Sequence, residues 1–320
     1  MNDATEELGG PTRVLLVPID GFSLLSFAAV VDPLRAANRA LGREAYAWSA
    51  VTIDGSPARA SSGFSIDVAG AIKEAPPASL VIVCAGLETD PPGAALLLAE
   101  LRRRARTGAA IGAVSTGARL LGRAGLLDDY RCTLHWEARA AFAAEHPDIT
   151  VTEAPYEIDR KRYTSSGGTA SIDMMLERIR LDHGAHVCRA VANQFQHERI
   201  RSNADRQRPA SEPDVTGKPE VIGRLIRLMA QNIEEPLGAQ ALADSVSLSV
   251  RQVERLFERY VQSTPTNYYI GLRLARAQEL LRQTSLSVLD VALATGFTSQ
   301  SHFAQSYRTA YGRNPSEERK

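Results

Sequence analysis

The sequence predicts two domains of different class: an α/β domain with a doubly wound parallel sheet, followed by an all-α domain with two helix-turn-helix motifs. Three observations predict this. Through residues 13–197, short apolar runs alternate with segments of helical periodicity. A charged, proline-containing stretch without apolar periodicity then intervenes, ERIRSNADRQRPASEPDVTGKPE (Glu198–Glu220). The remainder is patterned as helix throughout and contains an internal repeat. With 320 residues, 44% hydrophobic and 23% charged, the chain can fill two cores.

In the first domain RVLLVPI (Arg13–Ile19), YAWSAVTI (Tyr46–Ile53), SLVIVCAG (Ser79–Gly86) and AAIGAVS (Ala109–Ser115) read as buried parallel strands. Helices are expected over Leu24–Leu41, Gly93–Arg106, Ala118–Ala124, His135–His146 and Gly168–Gly184. Such a sheet places its ligand beyond the carboxyl ends of the strands, where Ser115 stands. The passage AVSTG, from strand to helix, is one residue short of the G-x-S-x-G elbow by which many α/β enzymes present a nucleophile. A serine there needs a positioned base, for which His135 is available, with Asp32 to orient it. A Ser115 amidase or hydrolase is therefore the alternative to a binding domain. Cys84, at the end of its strand, is by default a small buried thiol, and Cys132 and Cys188 read as packing residues.

In the last block LADSVSLSVRQVERLF (Leu242–Phe257) overlays VALATGFTSQSHFAQSY (Val291–Tyr307). Leu242 pairs with Val291, Val253 with Phe303, Phe257 with Tyr307 and Pro265 with Pro315, with one extra residue in the second turn at Gly296-Phe297-Thr298. Each unit reads helix, turn, helix, with Ser249 and Ser299 placed as N-caps. Thr266–Gln283 joins them with an apolar stripe of Leu272, Leu274, Ala277, Leu280 and Leu281. A helix of that length spans ~27 Å. It holds two recognition helices about one DNA turn, ~34 Å, apart. A helical bundle that binds protein is the bland alternative, which two motifs in register make the poorer one.

The rest of the composition narrows the class. Formal net charge is zero, but residues 1–198 carry 20 basic against 24 acidic side chains and residues 199–320 carry 17 against 13, nearly all the basic ones arginine. Three cysteines without a C-x-x-C pair indicate neither a disulfide framework nor a zinc ribbon. The polar, acidic start MNDATEELGGPT lacks the features of a signal peptide and is expected to be disordered. No apolar run reaches the ~18 residues of a membrane span, so a cytoplasmic protein without a membrane partner is expected.

Residues 219–319 resemble the DNA-binding domain of the AraC/XylS family, through LADSVSLSVRQVERLF, RLARAQELL (Arg273–Leu281), GFTSQSHFAQSY (Gly296–Tyr307) and YGRNP (Tyr311–Pro315). The resemblance implies that Arg251, Glu254 and Arg255 of the first recognition helix and Gln300, Ser301, His302 and Gln305 of the second face the major groove. Arginine suits guanine, glutamine suits adenine, and glutamate accepts from the cytosine amino group. Val253, Leu256, Phe257, Phe303 and Tyr307 are expected in the core. The departures are Gln262 for the usual glycine, Gln305 for a frequent arginine, and Asn314 for serine.

Residues 13–197 resemble the DJ-1/PfpI, class I glutamine amidotransferase-like fold, of flavodoxin-like α/β architecture. More narrowly, they resemble the sensor half of AraC-type regulators of the GlxA group. The matching segments are FSLLSFAAVVDPLRAANR (Phe22–Arg39), STGARLLGRAGLLDDYRCTLHWE (Ser115–Glu137), YEIDRKRYTSSGGTASIDMMLERI (Tyr156–Ile179) and HERIRSNADRQR (His197–Arg208). Enzymes of that fold carry cysteine at the elbow where this chain has Ser115. The resemblance therefore implies a sensor without catalysis or cofactor, taking a quaternary amine or basic amino acid such as glycine betaine, carnitine or arginine. Ser115, Thr116 and Ser165 would line the pocket beside His135. Trp136 reads equally as an aromatic face for a cation or as a core aromatic, and Asp32 as counter-charge or as a helix residue before Pro33. The expected organisation is a disordered 1–12, a sensor and dimerisation domain 13–197, a linker 198–218 and a DNA-binding domain 219–320. The expected partners are promoter half-sites in double-stranded DNA, a small-molecule effector, RNA polymerase and a second copy of the chain. Activation is the expected outcome of effector binding.

Overall fold

A six-stranded sheet organises the N-terminal unit. Its strands are β1 (Thr12–Pro18), β2 (Tyr46–Ala50), β5 (Leu80–Cys84), β6 (Ala110–Val114), β9 (Tyr156–Asp159) and β10 (Arg162–Ser165). They lie in the order β2-β1-β5-β6-β10-β9, all parallel except β9, which pairs antiparallel with β10. Short pairs β3 (Ala58–Arg59) with β4 (Ser65–Ile66) and β7 (Arg131–Cys132) with β8 (Thr150–Val151) sit outside it. This computed structural model describes residues 10–86, 90–207, 215, 217–284 and 286–318.

Side chains alternate across the strands, as strand geometry requires. Val14, Leu16, Ile82 and Val114 pack on one face with α1 (Leu24–Leu41) and α5 (Ala170–Gln194). Leu15, Val17, Val83 and Ala113 pack on the other with α2 (Ala94–Arg106), α3 (Ala118–Arg123) and α4 (Trp136–Glu145). Helices on both faces of a mostly parallel sheet make the doubly wound class that the alternating pattern predicts. Two features differ from the sequence reading. The hairpin β9–β10 is absent from it, and α5 runs past Gly184, whose φ of 83° and ψ of 172° break the helix before it resumes to Gln194.

The C-terminal unit is helical: α6 (Glu220–Gln231), α7 (Ala239–Ser245), α8 (Val250–Val261), α9 (Pro265–Gln283), α10 (Val288–Ala294), α11 (Gln300–Tyr311) and a 3₁₀ turn at Pro315–Glu317. It has two cores. Ile222, Leu225, Ile226, Met229, Leu242, Val253, Phe257 and Tyr269 fill the first, and Leu274, Leu281, Val291, Phe297, Phe303 and Tyr307 the second. Helix α9 serves both, its first half facing one core and its second half the other. Gly296, at φ 73°, turns the chain from α10 toward α11. A Cβ there would come 2.6 Å from the Ile233 carbonyl oxygen, so no other residue fits without movement.

The boundary between the units corrects the expected linker. The chain divides between Gln207 and Arg208, not at 198. Residues 198–207 belong to the N-terminal unit because they are bonded to it: Arg201 donates to Asp173 (2.7 Å), and the Gln207 amide donates to the carbonyl of Leu134 (3.0 Å). Of the expected linker, 208–214 and 216 lie outside the described residues, as do residues 1–9 of the expected disordered start, while Thr12 already begins β1.

Candidate nucleic-acid interface and ligand site

In the C-terminal unit each recognition helix begins at a serine that satisfies its first amides. The Ser249 hydroxyl accepts from the amide of Gln252 (3.4 Å), and the Gln252 side chain returns to the Ser249 amide (2.8 Å), closing a capping box on α8. The Ser299 hydroxyl accepts from the His302 amide (3.4 Å) on α11. Behind these starts Val253, Phe257, Phe303 and Tyr307 are buried as expected, and Leu256 is half-buried.

The outward faces carry the seven predicted DNA-facing residues. Arg251, Glu254 and Arg255 on α8 and Gln300, Ser301, His302 and Gln305 on α11 are all exposed. Arg251, Glu254 and Arg255 line one shallow groove together with Gln252 and Glu258. His302 and Gln305 line a second, whose opposite wall is Asn267, Ile270 and Gly271 of α9. None of Arg251, Glu254 and Arg255 forms an ion pair among the described residues. Free guanidinium and amide groups on the first turns of two capped helices are the chemistry of major-groove readout.

In the N-terminal unit the elbow predicted at Ser115 is present. Ser115 has φ 61°, a left-handed conformation that a non-glycine side chain adopts at a cost and that marks functional turns. It is nearly buried and its carbonyl accepts the His135 amide at 3.0 Å. Gly167 closes the opposite side, where a Cβ would lie 2.9 Å from the Ser115 Cβ, so only glycine admits this approach. His135 and Trp136 stand half-exposed beside the elbow, ring centroids 5.6 Å apart. Burial holds the His135 imidazole below its usual pKa, with Glu137, 3.7 Å away, pulling the other way.

Three predicted pocket residues are placed otherwise. Asp32 lies on an exposed face of α1 and pairs with Arg35 at 3.1 Å, because six residues along the helix from Ser26 turn it away from the elbow. Ser165 is fully buried; its hydroxyl shares a hydrogen bond with Ser171 (2.9 Å) and accepts from the Gly167 amide (3.3 Å), so it supports the loop rather than lining an opening. The Thr116 hydroxyl is likewise buried and donates to the Gly86 carbonyl. The elbow thus keeps Ser115, His135 and Trp136. Asp32 does not orient His135, whose Nδ1 instead accepts the Glu137 amide (3.4 Å). Cys84 is buried, which disfavours its thiolate.

Comparison with known proteins bears on both units. A model of the DJ-1/PfpI family matches residues 12–181, and a helix-turn-helix domain model matches residues 242–320. The HTH-type transcriptional regulator GbdR of Pseudomonas aeruginosa is 41% identical over 310 residues, 97% of this chain and 84% of that protein. The HTH-type transcriptional regulator CdhR of the same species is 43% identical over 307 residues, 95% of this chain and 90% of that protein. A crystal structure of an AraC family transcriptional regulator from Pseudomonas putida matches at 30% identity with a TM-score of 0.54, covering 58% of this chain and all of that one. This chain belongs to the AraC family of transcriptional regulators.

In this AraC-family regulator some residues that shape the elbow escape sequence reasoning. Ser26, buried in the apolar run of α1, accepts the Gly168 amide (2.7 Å) and fixes the glycine loop against Ser115. A second serine, inside the helix that Ser23 caps and among the apolar residues of FSLLSFAAVV, is the signal that marks it. Asp173 and Gln207 emerge only from the fold, because their partners are distant in sequence. No helix of the described residues is long and apolar enough to cross a membrane.

Proposed function

We propose that this AraC-family regulator binds a small nitrogenous metabolite, a quaternary amine or a basic amino acid, at the Ser115 elbow without turning it over. Binding governs how α8 and α11 engage two successive major-groove segments. The observation that carries the DNA half is the exposed set Arg251, Glu254, Arg255, Gln300, Ser301, His302 and Gln305 on two similarly capped helices. For the effector half, the elbow sets the Trp136 ring beside His135, an aromatic face for a cationic head. With Asp32 elsewhere, Glu137 is the carboxylate on this rim. The protein acts in the cytoplasm as a homodimer and activates transcription through contact with RNA polymerase. Its domains run from 13 to 207 for sensing and from 219 to 320 for DNA, joined by a linker.

The test is a thermal-shift titration of the full chain with glycine betaine, carnitine, choline and arginine. A ligand present at a hundredfold excess over its Kd stabilises by about 2.7 kcal/mol. One saturable rise names the effector, and no rise with any compound defeats this effector class. Ser115→Ala then separates regulator from enzyme: DNA binding persists with at most an altered effector response, whereas a hydrolase would lose turnover.

A further inference from the structure

Beyond the elbow, polar bonding in the N-terminal unit concentrates on the segment that leaves α5. Asp173, fully buried in the first turn of α5, accepts from His197 Nε2 (2.7 Å), from the Arg201 amide (3.0 Å) and from Arg201 Nε (2.7 Å). Arg201 also donates to the Thr169 hydroxyl (2.7 Å). Both carboxylate oxygens of this anchor are held by charge-assisted hydrogen bonds, which makes it strong.

The second anchor, at Gln207, is of another kind. Its backbone amide donates to the Glu153 carbonyl (2.8 Å). Its side-chain nitrogen is shared among the Thr133 hydroxyl (2.9 Å), the Leu134 carbonyl (3.0 Å) and the Ala154 carbonyl (3.0 Å), three acceptors for two hydrogens. Its Oε1 is buried and finds no donor among the described residues. An over-shared donor and an orphaned acceptor make this the weaker attachment. It is also the one that touches the elbow: Leu134 precedes His135, whose amide holds the Ser115 carbonyl.

We infer that Gln207 is the positioning residue through which the elbow sets whether residues 202–207 stay attached to the sensor unit. A ligand seated against His135 and Trp136 displaces residues 133–136 and draws both the Thr133 hydroxyl and the Leu134 carbonyl off the Gln207 side-chain amide, leaving it a single acceptor. Residues 202–207 then detach, while Asp173 keeps 197–201 in place. Six released residues, fully extended, span up to ~20 Å. That is more than half of the ~34 Å between successive major grooves on one DNA face. The mechanism rests on the effector reading of the elbow, but its first test needs no ligand.

The experiment is hydrogen exchange on the full chain, wild type against Gln207→Leu, with Gln207→Asn as a second variant that keeps an amide one methylene shorter. Without ligand, the variants should speed exchange at residues 202–207 and at the His135 amide by roughly five- to tenfold, the loss of about one hydrogen bond. Exchange at residues 197–201 should stay unchanged. Faster exchange confined to 202–207, with His135 unaffected, overturns the coupling. So does a rise in Gln207→Asn spread evenly over the whole unit. In a second arm glycine betaine and carnitine are the probes, and the DNA is a duplex selected by the full chain from a random pool. A probe that binds should speed exchange at 202–207 in the wild type. Gln207→Leu should bind it more tightly, by up to the same five- to tenfold, because the anchor no longer has to be broken, and its DNA affinity should no longer respond to it. A response preserved in Gln207→Leu overturns the inference, whereas failure of both probes to bind defeats only the effector class, leaving the ligand-free arm to decide.

Discussion

The two helix-turn-helix units match at the positions that fold them. Ser249 and Ser299 cap α8 and α11, Val253 and Phe303 are buried at matching depth, and so are Phe257 and Tyr307. They part elsewhere. Where the first turn carries Ser247 at φ 56°, the second carries Gly296; where α8 ends at Gln262 with φ 55°, α11 ends at Gly312 with φ 71°. The first presents Arg251 and Arg255 to solvent and the second Ser301 and Gln305 at the same places. On α7, Gln240 donates to Asp244 (2.8 Å), while the matching face of α10 is the exposed Leu289 and Leu293. Core and caps are held by packing and hydrogen-bond satisfaction; outward faces are free to diverge, so divergence there reports use rather than fold.

The largest effect expected from this comparison is in the shared core. Phe257→Ala and Phe303→Ala should each cost ~3–5 kcal/mol of unfolding free energy, since both delete a fully buried ring. Denaturant unfolding of the full chain checks this, and a cost below about 1 kcal/mol at either site would break the equivalence of the two cores. Next come the faces. Arg255→Ala should weaken binding to a selected duplex by ~1–3 kcal/mol and flatten the salt dependence by about one unit of slope. Gln305→Ala should relax base preference at one position and leave the salt slope unchanged. Titrations at several salt concentrations decide, and equal slopes for both variants would mean the two units do not divide charge and readout as their sequences differ.

Smaller still is the cap. Gln262→Gly should stabilise by up to about 1 kcal/mol because glycine takes the left-handed conformation without strain, and Gly312→Gln should lose a similar amount. The smallest effect is a control outside both repeats. Burial depresses the His135 pKa, so both folded and unfolded forms are neutral well above the ordinary value of ~6.5. As pH falls below it, the unfolded chain takes up a proton that the folded chain resists, and stability declines. His135→Gln should therefore shallow the fall in Tm between about pH 7.5 and 5.5 without changing the two readout faces. Because burial also lowers the pKa of His183, adding a His183 replacement should flatten the profile further.

Much of this architecture is legible in the sequence where one short-range rule dominates. Helix α1 occupies the expected Leu24–Leu41, and β1, β2, β5 and β6 fall on the four apolar runs. The serine caps follow from a hydroxyl preceding an apolar period. The hairpin β9–β10 hides because its two-residue turn is Arg160-Lys161, without the glycine or asparagine that announces such turns, and Arg160 takes φ 53° regardless. Asp32 misleads because proximity in a resembling segment says nothing about which way a helix turns its side chains. The end of the sensor unit at Gln207 is invisible locally: ERIRSNADRQ is polar and looks like a linker, and only Asp173 and Leu134, far away in sequence, hold it.

The three cysteines have a practical consequence. All are buried and unpaired, and burial raises the pKa of each. A folded molecule therefore offers thiol reagents almost nothing to react with. The rate at which Cys84 and Cys132 are labelled becomes a clock for opening of the sensor unit, and Cys188 for opening of α5. A single cysteine introduced on an exposed face would take a fluorophore selectively, without first removing the native thiols.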